Sequence, residues 1–432
     1  MEKIMDKKLT LAIIGMGSRG RTAYGEELLK LQDEVTVTAV ADLDDERRRL
    51  AGEAHHVPEK NRFKSAEDLL AQPRLADAAL ICTQDRQHVP HAIAALRKGY
   101  DLLLEKPISP ELSELQEIVK VAKEEGRKVV VCHVLRYTPF FGTIRKAIDS
   151  GRLGEVVNIQ ALENVRYWHQ AHSFVRGNWR SEEETSPMIL AKCCHDLDYL
   201  IWLTGSKCDR VSSFGSLFYF KPENAPEGAA ARCMDGCKAK ENCPYDAEKI
   251  YLTNAETGVL TGHTEWPIDV LSEHPSEETI REAIEKGPYG RCAFACDNDV
   301  VDNQIVNMQM ENGAALSLTM SAFTSTGGRT IKVMGTNGDL WGDMHENKIR
   351  ICEFGKEPEI IDFGHEENDY KDHGGGDGKL IRAFLDYLEG KDVSDTITTL
   401  ETSVESHLVA LAAEKSRVEG GAPVEIAPLR GL

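Results

Sequence analysis

The 432-residue sequence has no excess of basic charge, because 51 lysines and arginines stand against 71 aspartates and glutamates, for a formal net charge of −20. A protein that binds nucleic acid needs a basic face for the phosphates, and one that docks on an anionic membrane needs basic clusters. The composition therefore argues against nucleic acid and membrane surfaces as partners.

Long apolar runs are also missing, since no stretch approaches the roughly 18 consecutive apolar residues of a membrane-spanning helix. The first ten residues, MEKIMDKKLT, contain no apolar run like that of a signal peptide. We therefore expect a cytoplasmic protein. In that reducing compartment its 11 cysteines are expected to be thiols or metal ligands and not disulfides.

The first chemical motif is a glycine-rich turn between an apolar strand and an amphipathic helix, in LTLAIIGMGSRGRTAYGEELLKL (9–31). Its spacing, G-x-G-x-x-G, permits a tight turn, lets a pyrophosphate approach the backbone and lets the helix pack closely on the strand. Free N–H groups at the helix start favour phosphate. The turn is therefore predicted to bind a dinucleotide. The residues assigned to it are Gly15, Gly17, Ser18, Arg19 and Gly20.

An acidic residue follows at the place where dinucleotide-binding proteins select their cofactor. A second predicted strand, 35–44, ends near Asp42, 22 residues after Gly20. An acid there hydrogen-bonds the ribose 2′-hydroxyl of NAD and repels the 2′-phosphate of NADP. We therefore predict NAD as the cofactor rather than NADP, although Arg47 and Arg48 just beyond would suit a phosphate.

Apolar strands and amphipathic helices continue to alternate up to residue 134. This alternation predicts a doubly wound parallel sheet with helices on both faces. Ligands bind at the carboxyl ends of such strands. The polar residues that follow the strands are thus predicted beside the cofactor: Thr83, His88, Glu105 and Lys106.

Taken together, these motifs resemble the family of glucose–fructose oxidoreductase, inositol dehydrogenase and rhizopine-catabolism proteins (Gfo/Idh/MocA). The resemblance is carried by the glycine turn 15–20, Asp42, the loop 83–88, EKP at 105–107, RYTPFF at 136–141 and HDLDYLIWLTG at 195–205. It implies an α/β Rossmann domain over 1–135. It also implies an α+β domain over 136–432, whose large, mostly antiparallel open sheet often makes oligomer contacts. A homo-oligomer, a dimer or tetramer, is therefore expected.

The resemblance also implies the chemistry, which is hydride transfer between a nicotinamide cofactor and a sugar, cyclitol or related polyol. Lys106 and His195 match the family's active-site lysine and histidine. An ammonium can stabilise developing alkoxide charge, and a neutral imidazole can take the hydroxyl proton. Many members carry an aspartate four residues before the histidine, where this chain has Ala191 followed by Lys192. Lys192 is a third candidate catalytic residue, for which a pocket role and a surface role are both open.

A segment rich in basic and aromatic residues, VRYWHQAHSFVRGNWR (165–180), has the side chains a polyol site needs. Arginine and histidine can bond hydroxyls, and tryptophan can pack on the C–H face of a sugar. An inter-subunit loop is the alternative reading. With the RYTPFF motif and a later glycine loop, the candidate substrate-binding residues are Arg136, Tyr137, His169, His172, Arg176, Trp179 and His373.

Between two predicted strands lies an insert at about 221–298 that holds five of the 11 cysteines. Four close thiolates can hold a tetrahedral structural zinc ion, and such an ion would stabilise an insert too loose to have its own core. Ordinary buried thiols explain the cysteines equally well. The candidate ligands are Cys233, Cys237, Cys243 and Cys292.

These observations favour an NAD(P)-dependent oxidoreductase that acts on a sugar or cyclitol hydroxyl, and they leave two alternatives open. One is an NAD-dependent glycosidase that oxidises a hydroxyl transiently, eliminates the glycosidic substituent, adds water and returns the hydride. The other is a non-catalytic sensor that binds nicotinamide and a sugar, against which the retention of Lys106 and His195 argues.

Overall fold

A computed structural model describes residues 8–364, 373–391 and 393–431. The chain divides into two compact units: unit 1 comprises Met1–Phe141 and Asp369–Glu405, and unit 2 comprises Gly142–Asn368 and Ser406–Gly431. In chain order the strands are β1 (Leu9–Ile14), β2 (Val35–Ala41), β3 (Arg62–Phe63), β4 (Ala78–Ile81), β5 (Asp101–Leu104), β6 (Val129–Val131), β7 (Val156–Arg166), β8 (Cys208–Ser216), β9 (Asn303–Met310), β10 (Ala315–Thr324), β11 (Gly328–Gly335), β12 (Gly338–Asp343), β13 (Lys348–Glu353), β14 (Glu359–Asp362) and β15 (Val424–Glu425). The α-helices are α1 (Tyr24–Lys30), α2 (Asp45–Ala54), α3 (Ala66–Ala71), α4 (His88–Arg97), α5 (Leu112–Glu125), α6 (Pro139–Asp149), α7 (Tyr167–His169), α8 (Met188–Ala191), α9 (Cys194–Thr204), α10 (Glu277–Lys286), α11 (Gly376–Leu388) and α12 (Leu400–Val418).

Unit 1 contains a parallel sheet, which confirms the predicted doubly wound fold. Its described strands lie in the order β3-β2-β1-β4-β5-β6, and every neighbouring pair is parallel. The strands β4 and β6 are buried along their whole length, AALI and VVV. Such continuous apolar strands are typical of a sheet covered on both faces.

Helix α11 comes from the second stretch of unit 1 and joins the core of the first. Its buried side chains Leu380, Ile381, Phe384 and Leu385 recur on one stripe and pack in the same cluster as Tyr24 of α1. Burial of each large aliphatic or aromatic side chain contributes about 1.5–3 kcal/mol. The hydrophobic stripe of α11 therefore fastens this late segment to the glycine-turn end of the unit.

Unit 2 is built on a nine-stranded sheet, counted over the described residues, in the order β14-β13-β12-β11-β7-β10-β9-β8-β15. The pair β7–β10 is parallel and the other described pairs are antiparallel, as the mostly antiparallel prediction requires. Strand β10 alternates between buried and partly exposed side chains along most of its length. This period of two indicates that one face of the sheet is covered and the other is open.

The predicted insert, 221–298, lies in unit 2 and has a hydrophobic core that it shares with the segment 168–175. The expectation of an insert without its own core is therefore wrong, because aromatic residues supply the apolar area that its short helical turns need. The largest side chains of this core are Phe220, Tyr245, Tyr251, Tyr289, Phe294 and Trp168. Among the helices that the structure describes, none has both the length and the hydropathy needed to cross a membrane.

Candidate active site

The glycine turn has the geometry that dinucleotide binding requires. Gly15 has φ of 92°, and a Cβ there would lie 2.5 Å from the carbonyl oxygen of Cys82. A Cβ on Gly20 would lie 1.9 Å from the carbonyl oxygen of Gly15. A Cβ on Gly17 would meet nothing within 4 Å. Packing thus excludes side chains at the first and third glycines, and the open space at Gly17 fits the approach of a pyrophosphate.

The carboxylate of Asp42 is held against this turn. Its Oδ2 accepts a hydrogen bond from the backbone N–H of Met16 at 2.5 Å, and its Oδ1 accepts one from Asp44 at 2.8 Å. Nearby Arg48 donates to the backbone carbonyl of Asp42 at 2.8 Å and contacts Asp45. The acid predicted to select between the two dinucleotides therefore lies beside the glycine turn, and the guanidinium of Arg48 is already engaged by Asp42 and Asp45.

Arg19 of the turn contacts two buried carboxylates. Its Nε donates to Glu105 at 2.8 Å and its Nη2 to Asp377 at 2.7 Å. Tyr24 accepts from Arg19 at 2.6 Å and donates to Glu105 at 2.5 Å. Although burial raises the pKa of Asp377, the charges of Arg19 and His373 hold it well below its ordinary value. The guanidinium of this predicted cofactor residue is thus directed into the protein, where it secures the turn to α11.

The other predicted cofactor residues come together at the carboxyl ends of β4 and β5. The ring of His88 is buried and lies between two backbone carbonyls, that of Pro107 at 2.6 Å from Nδ1 and that of Thr83 at 2.9 Å from Nε2. The backbone N–H of Lys106 donates to Glu105 at 2.9 Å. Burial raises the pKa of Glu105, but Arg19 and Lys106 bring it below its ordinary value. His88 therefore joins the two loops that carry Thr83 and Lys106.

In unit 2, a chain of four charged side chains surrounds the start of α9. Lys192 Nζ lies 3.3 Å from Glu163 Oε1, and Arg329 Nη2 lies 2.8 Å from Glu163 Oε2. Arg329 Nε donates to Asp196 at 2.9 Å and its Nη2 donates to the other oxygen at 3.3 Å. His195, in the first turn of α9, precedes Asp196 and is buried.

The side chains of this charged chain are buried, except that of Lys192, which is partly exposed. The side chain of Lys192 is 19% exposed, against 2% for Glu163, 9% for Arg329 and 0% for Asp196. Burial raises the pKa of Asp196 to about 6, with Arg329 opposing the rise and Glu163 adding to it. The side chain of Lys192 is therefore anchored on a buried carboxylate and reaches towards solvent.

Glu163 and Arg329 were not among the sequence candidates, yet the sequence holds a signal for them. In β7 and β11 alternate side chains are buried, and these positions are otherwise apolar, as with Ile159 in β7 and Ile331 in β11. A charged residue at an inward position of such a strand needs a buried partner. The two residues break the period-2 pattern at corresponding inward positions, and each supplies the other's partner.

Two of the substrate candidates are enclosed by the insert. His172 is stacked on Tyr289 at 4.7 Å, and its Nδ1 lies 3.0 Å from the hydroxyl of Tyr251. Burial and the charge of Arg176 lower the pKa of His172 to about 3. Arg176 donates to the backbone carbonyls of Arg291 and Tyr245 at 2.7 and 2.6 Å. Both side chains therefore fasten the segment 170–176 to the insert.

The remaining substrate candidates fall in both units. In unit 1, Arg136 and Tyr137 are buried in the turn after β6, and the hydroxyl of Tyr137 accepts from the backbone N–H of Thr398 at 3.1 Å. His373, also in unit 1, contacts Asp377 at 3.0 Å and is partly exposed. In unit 2, the candidates His169 and Trp179 are partly exposed, and His169 meets the edge of Trp266 with ring centres 4.7 Å apart.

The expected zinc site is not supported. Across residues 8–364, 373–391 and 393–431, no group of three or more histidine, cysteine, aspartate or glutamate side chains is placed to hold a metal ion. Cys233 and Cys292 lie on paired segments, and Arg176 Nη2 is 3.7 Å from the sulfur of Cys233. Cys237 and Cys243 are only half-buried.

Comparison with known proteins adds to this geometry. The model of the oxidoreductase family with an NAD-binding Rossmann fold (GFO_IDH_MocA) matches residues 9–133, and that of the family's C-terminal α/β domain matches residues 145–426. YteT of Bacillus subtilis (strain 168), which is named an oxidoreductase, is 24% identical over 400 residues, covering 88% of this chain and 89% of YteT. Inositol 2-dehydrogenase of Corynebacterium glutamicum (strain R) is 26% identical over 205 residues, covering 47% of this chain and 56% of that protein.

Among solved structures, an inositol dehydrogenase homologue from Azotobacter vinelandii, complexed with NADH and myo-inositol, superposes with a TM-score of 0.66. The two chains are 17% identical, and the match covers 98% of each. At this identity the likeness concerns the fold alone.

Proposed function

The chain belongs to the Gfo/Idh/MocA oxidoreductase family, and on that premise we propose that it transfers a hydride between a nicotinamide cofactor and a hydroxyl-bearing carbon of a sugar or cyclitol. Membership makes it an enzyme that acts on CH–OH groups, and the substrate class is the proposed part. The observation that carries the proposal is the glycine turn with Asp42 beside it, which fits a dinucleotide. The inositol 2-dehydrogenase relative supports a polyhydroxylated ring as the substrate.

The proposed chemistry separates the two hydrogens of an alcohol. When bound, a nicotinamide supplies the acceptor for the hydride that leaves carbon. Lys106 stabilises negative charge on the substrate oxygen, and the neighbouring carboxylate of Glu105 keeps an opposite charge beside the ammonium. His195 takes the hydroxyl proton when its imidazole is neutral. Both roles rest on the match of Lys106 and His195 to the active-site lysine and histidine of the family.

NAD is the proposed dinucleotide. The carboxylate of Asp42 is held in place by the N–H of Met16, so a 2′-phosphate beside the turn would meet a fixed negative charge. Like charges brought together at a binding site cost several kcal/mol. For substrate contacts we propose the partly exposed side chains Lys192, His169 and Trp179 of unit 2, because enclosed residues such as His172 are already engaged.

Purified protein, NAD or NADP, and a panel of aldoses, cyclitols and their glycosides test the function by the absorbance of reduced nicotinamide at 340 nm. We expect net reduction of NAD with at least one ring polyol. We also expect Lys106→Ala and His195→Ala each to abolish turnover while NAD still binds. Sugar release without net reduction would identify the glycosidase instead. NAD binding with no turnover of any kind would identify the sensor.

We also propose that the protein assembles through the open face of its nine-stranded sheet. Strand register places Phe214 opposite Ile305, Ile305 opposite Thr319, and Thr319 opposite Leu162 on that face. Phe214, Ile305 and Leu162 are 57%, 45% and 41% exposed. A row with three exposed large apolar side chains is typical of a protein interface. Light scattering should give a dimer or tetramer, and Ile305→Glu should dissociate it. A monomeric wild type would refute this proposal.

A cytoplasmic location is the last part of the proposal. All 11 cysteines are free thiols in the structure, which is the state that a reducing compartment maintains. Fractionation of the producing cells would test it.

A further inference from the structure

We propose that Glu163 and Arg329 are positioning residues, which hold Lys192 and the helix turn of His195 in the arrangement that the reaction needs. This inference rests on the function proposed above. It assigns a role to two residues of the sheet. They lie outside the glycine turn and are distinct from the active-site lysine and histidine of the family.

The first argument is the way Glu163 is shared. One of its oxygens contacts Lys192 and the other contacts Arg329, and the carboxylate itself is buried. Among the described residues, Glu163 is the carboxylate that Lys192 contacts. The ammonium is therefore fixed in place by a carboxylate whose charge is already shared with a second cation.

The second argument is the anchoring of the turn that carries His195. Helix α9 begins at Cys194, and its N-cap residue, Cys193, makes no side-chain capping bond. The first turn is instead fastened through Asp196, which accepts two hydrogen bonds from the planar fork of Arg329. A forked pair of this kind fixes orientation as well as distance. Arg329 thereby holds the turn of His195 on one side and the partner of Lys192 on the other.

The third argument is charge balance. Glu163 and Asp196 carry two negative charges, and Arg329 and Lys192 carry two positive ones, so the chain is neutral as a whole. Removing one member of a buried set leaves an uncompensated charge, which is costly. Glu163 and Arg329 consequently set the electrostatic environment of Lys192. Removing Glu163 makes that environment more positive, and removing Arg329 makes it more negative.

The experiment uses Glu163→Gln, Arg329→Met and Arg329→Lys in the full-length protein. The matched control is Glu353→Gln, which breaks an ion pair with Arg152 in the same unit, at 3.0 Å, with no link to the charged chain. We expect kcat to fall about 100-fold in Glu163→Gln and Arg329→Met, with the Kd for NAD unchanged within about twofold. Arg329→Lys should recover part of kcat, and the control should retain it.

A readout independent of turnover is the rate at which an amine reagent, acetic anhydride, labels Lys192, followed by mass spectrometry. The neutral amine is the reactive form. Loss of the Glu163 charge should speed labelling at least about threefold, and loss of Arg329 should slow it by a similar factor, since Glu163 then pairs with Lys192 alone. A merely structural role would loosen the site and speed labelling in both variants.

Retention of kcat within about threefold in folded Glu163→Gln, or labelling changes of the same sign in the two variants, would overturn the inference. Where the wild type turns over no substrate, the proposed function has failed and the labelling rates alone decide the positioning role. Where turnover is found, both readouts must agree. Thermal melting of each variant shows that it is folded, and Glu163→Gln, which conserves shape, covers the case in which Arg329→Met does not fold.

Discussion

Replacement of Arg19 by methionine should destabilise unit 1 and do so in a pH-dependent manner. In the wild type the guanidinium bridges Glu105 and Asp377, whose carboxylates are 6% and 0% exposed. Breaking a buried pair by removing one partner costs about 3–5 kcal/mol. Glu105 keeps hydrogen bonds from Tyr24 and from the backbone of Lys106, and Asp377 keeps His373. We therefore expect the free energy of unfolding to fall by about 3 kcal/mol at pH 7, near the lower end of that range.

The sign of the pH dependence follows from the two carboxyl groups. In the wild type the pKa values of Glu105 and Asp377 lie below their ordinary values, so their contribution is complete above about pH 5 and is lost as pH falls through the folded-state values. In Arg19→Met the largest influence left is burial, which raises both pKa values. In the variant, lowering the pH towards 5 then protonates these carboxyl groups and removes their buried charge. The loss of stability relative to wild type therefore becomes smaller.

The assay is native-state hydrogen exchange of peptides from β1 and β5, because the two units need not unfold together. The control is Arg49→Met, which removes ion pairs to Glu46 and Glu53 from a side chain that is 47% exposed. Exposed pairs contribute little to stability, so the control should match the wild type at both pH values. A deficit for Arg19→Met below about 1 kcal/mol, or one equal at pH 7 and pH 5, would refute the reasoning.

Three other predictions follow from local geometry. Gly20→Ala should lower the melting temperature and abolish NAD binding, because its Cβ would lie 1.9 Å from a backbone carbonyl. Gly17→Ala, whose Cβ meets nothing within 4 Å, should melt at the wild-type temperature. Its affinity for NAD, measured by calorimetry, should fall about tenfold or more. Asp42→Ser should raise kcat/KM for NADP relative to NAD about tenfold or more, and an unchanged ratio would contradict the proposed selection. Burial and the neighbouring Glu414 raise the pKa of Glu182 to about 7, so this group favours the folded state below its ordinary pKa and loses that contribution as pH rises through 7. Glu182→Gln should therefore match wild type in urea unfolding at pH 4.5 and exceed it by about 1 kcal/mol at pH 8, a figure reduced for its 30% exposed side chain.

Most of the parallel sheet of unit 1 could be predicted from the sequence because its longer strands are apolar and alternate with helices. The two-residue strand β3, Arg62–Phe63, has no such pattern and was not predicted. Such local patterns decide local structure. The return of α11 to unit 1 could not be predicted in this way. Its stripe of Leu380, Phe384 and Leu385 requires a hydrophobic partner, but nothing in its periodicity says which of two cores provides it.

The candidate site divides along the same line. The glycines at 15, 17 and 20 could be assigned because their spacing expresses a steric requirement, which the distances at Gly15 and Gly20 explain. The role of Arg19 could not be read from the motif, since its carboxylate partners Glu105 and Asp377 are 86 and 358 positions away in the chain. The same holds for the insert, whose cysteine spacing predicts a metal site but does not predict the hydrophobic core that its aromatic residues form.

A common construction emerges from the two units when their charged groups are compared. In unit 1, Arg19 bridges Glu105, at a strand end, and Asp377, in the first turn of α11; in unit 2, Arg329 bridges Glu163, in a strand, and Asp196, in the first turn of α9. Each strand carboxylate also has a lysine beside it, Lys106 in one case and Lys192 in the other.

This arrangement has a chemical consequence for both lysines. A carboxylate that faced a lysine alone in a dry site would form a tight pair and leave the ammonium little attraction for a substrate oxygen. Sharing the carboxylate with an arginine, which remains charged at any working pH, weakens that pairing and leaves the ammonium more of its attraction for a substrate oxygen. We therefore expect replacement of either arginine to depress kcat more than it depresses the affinity for NAD.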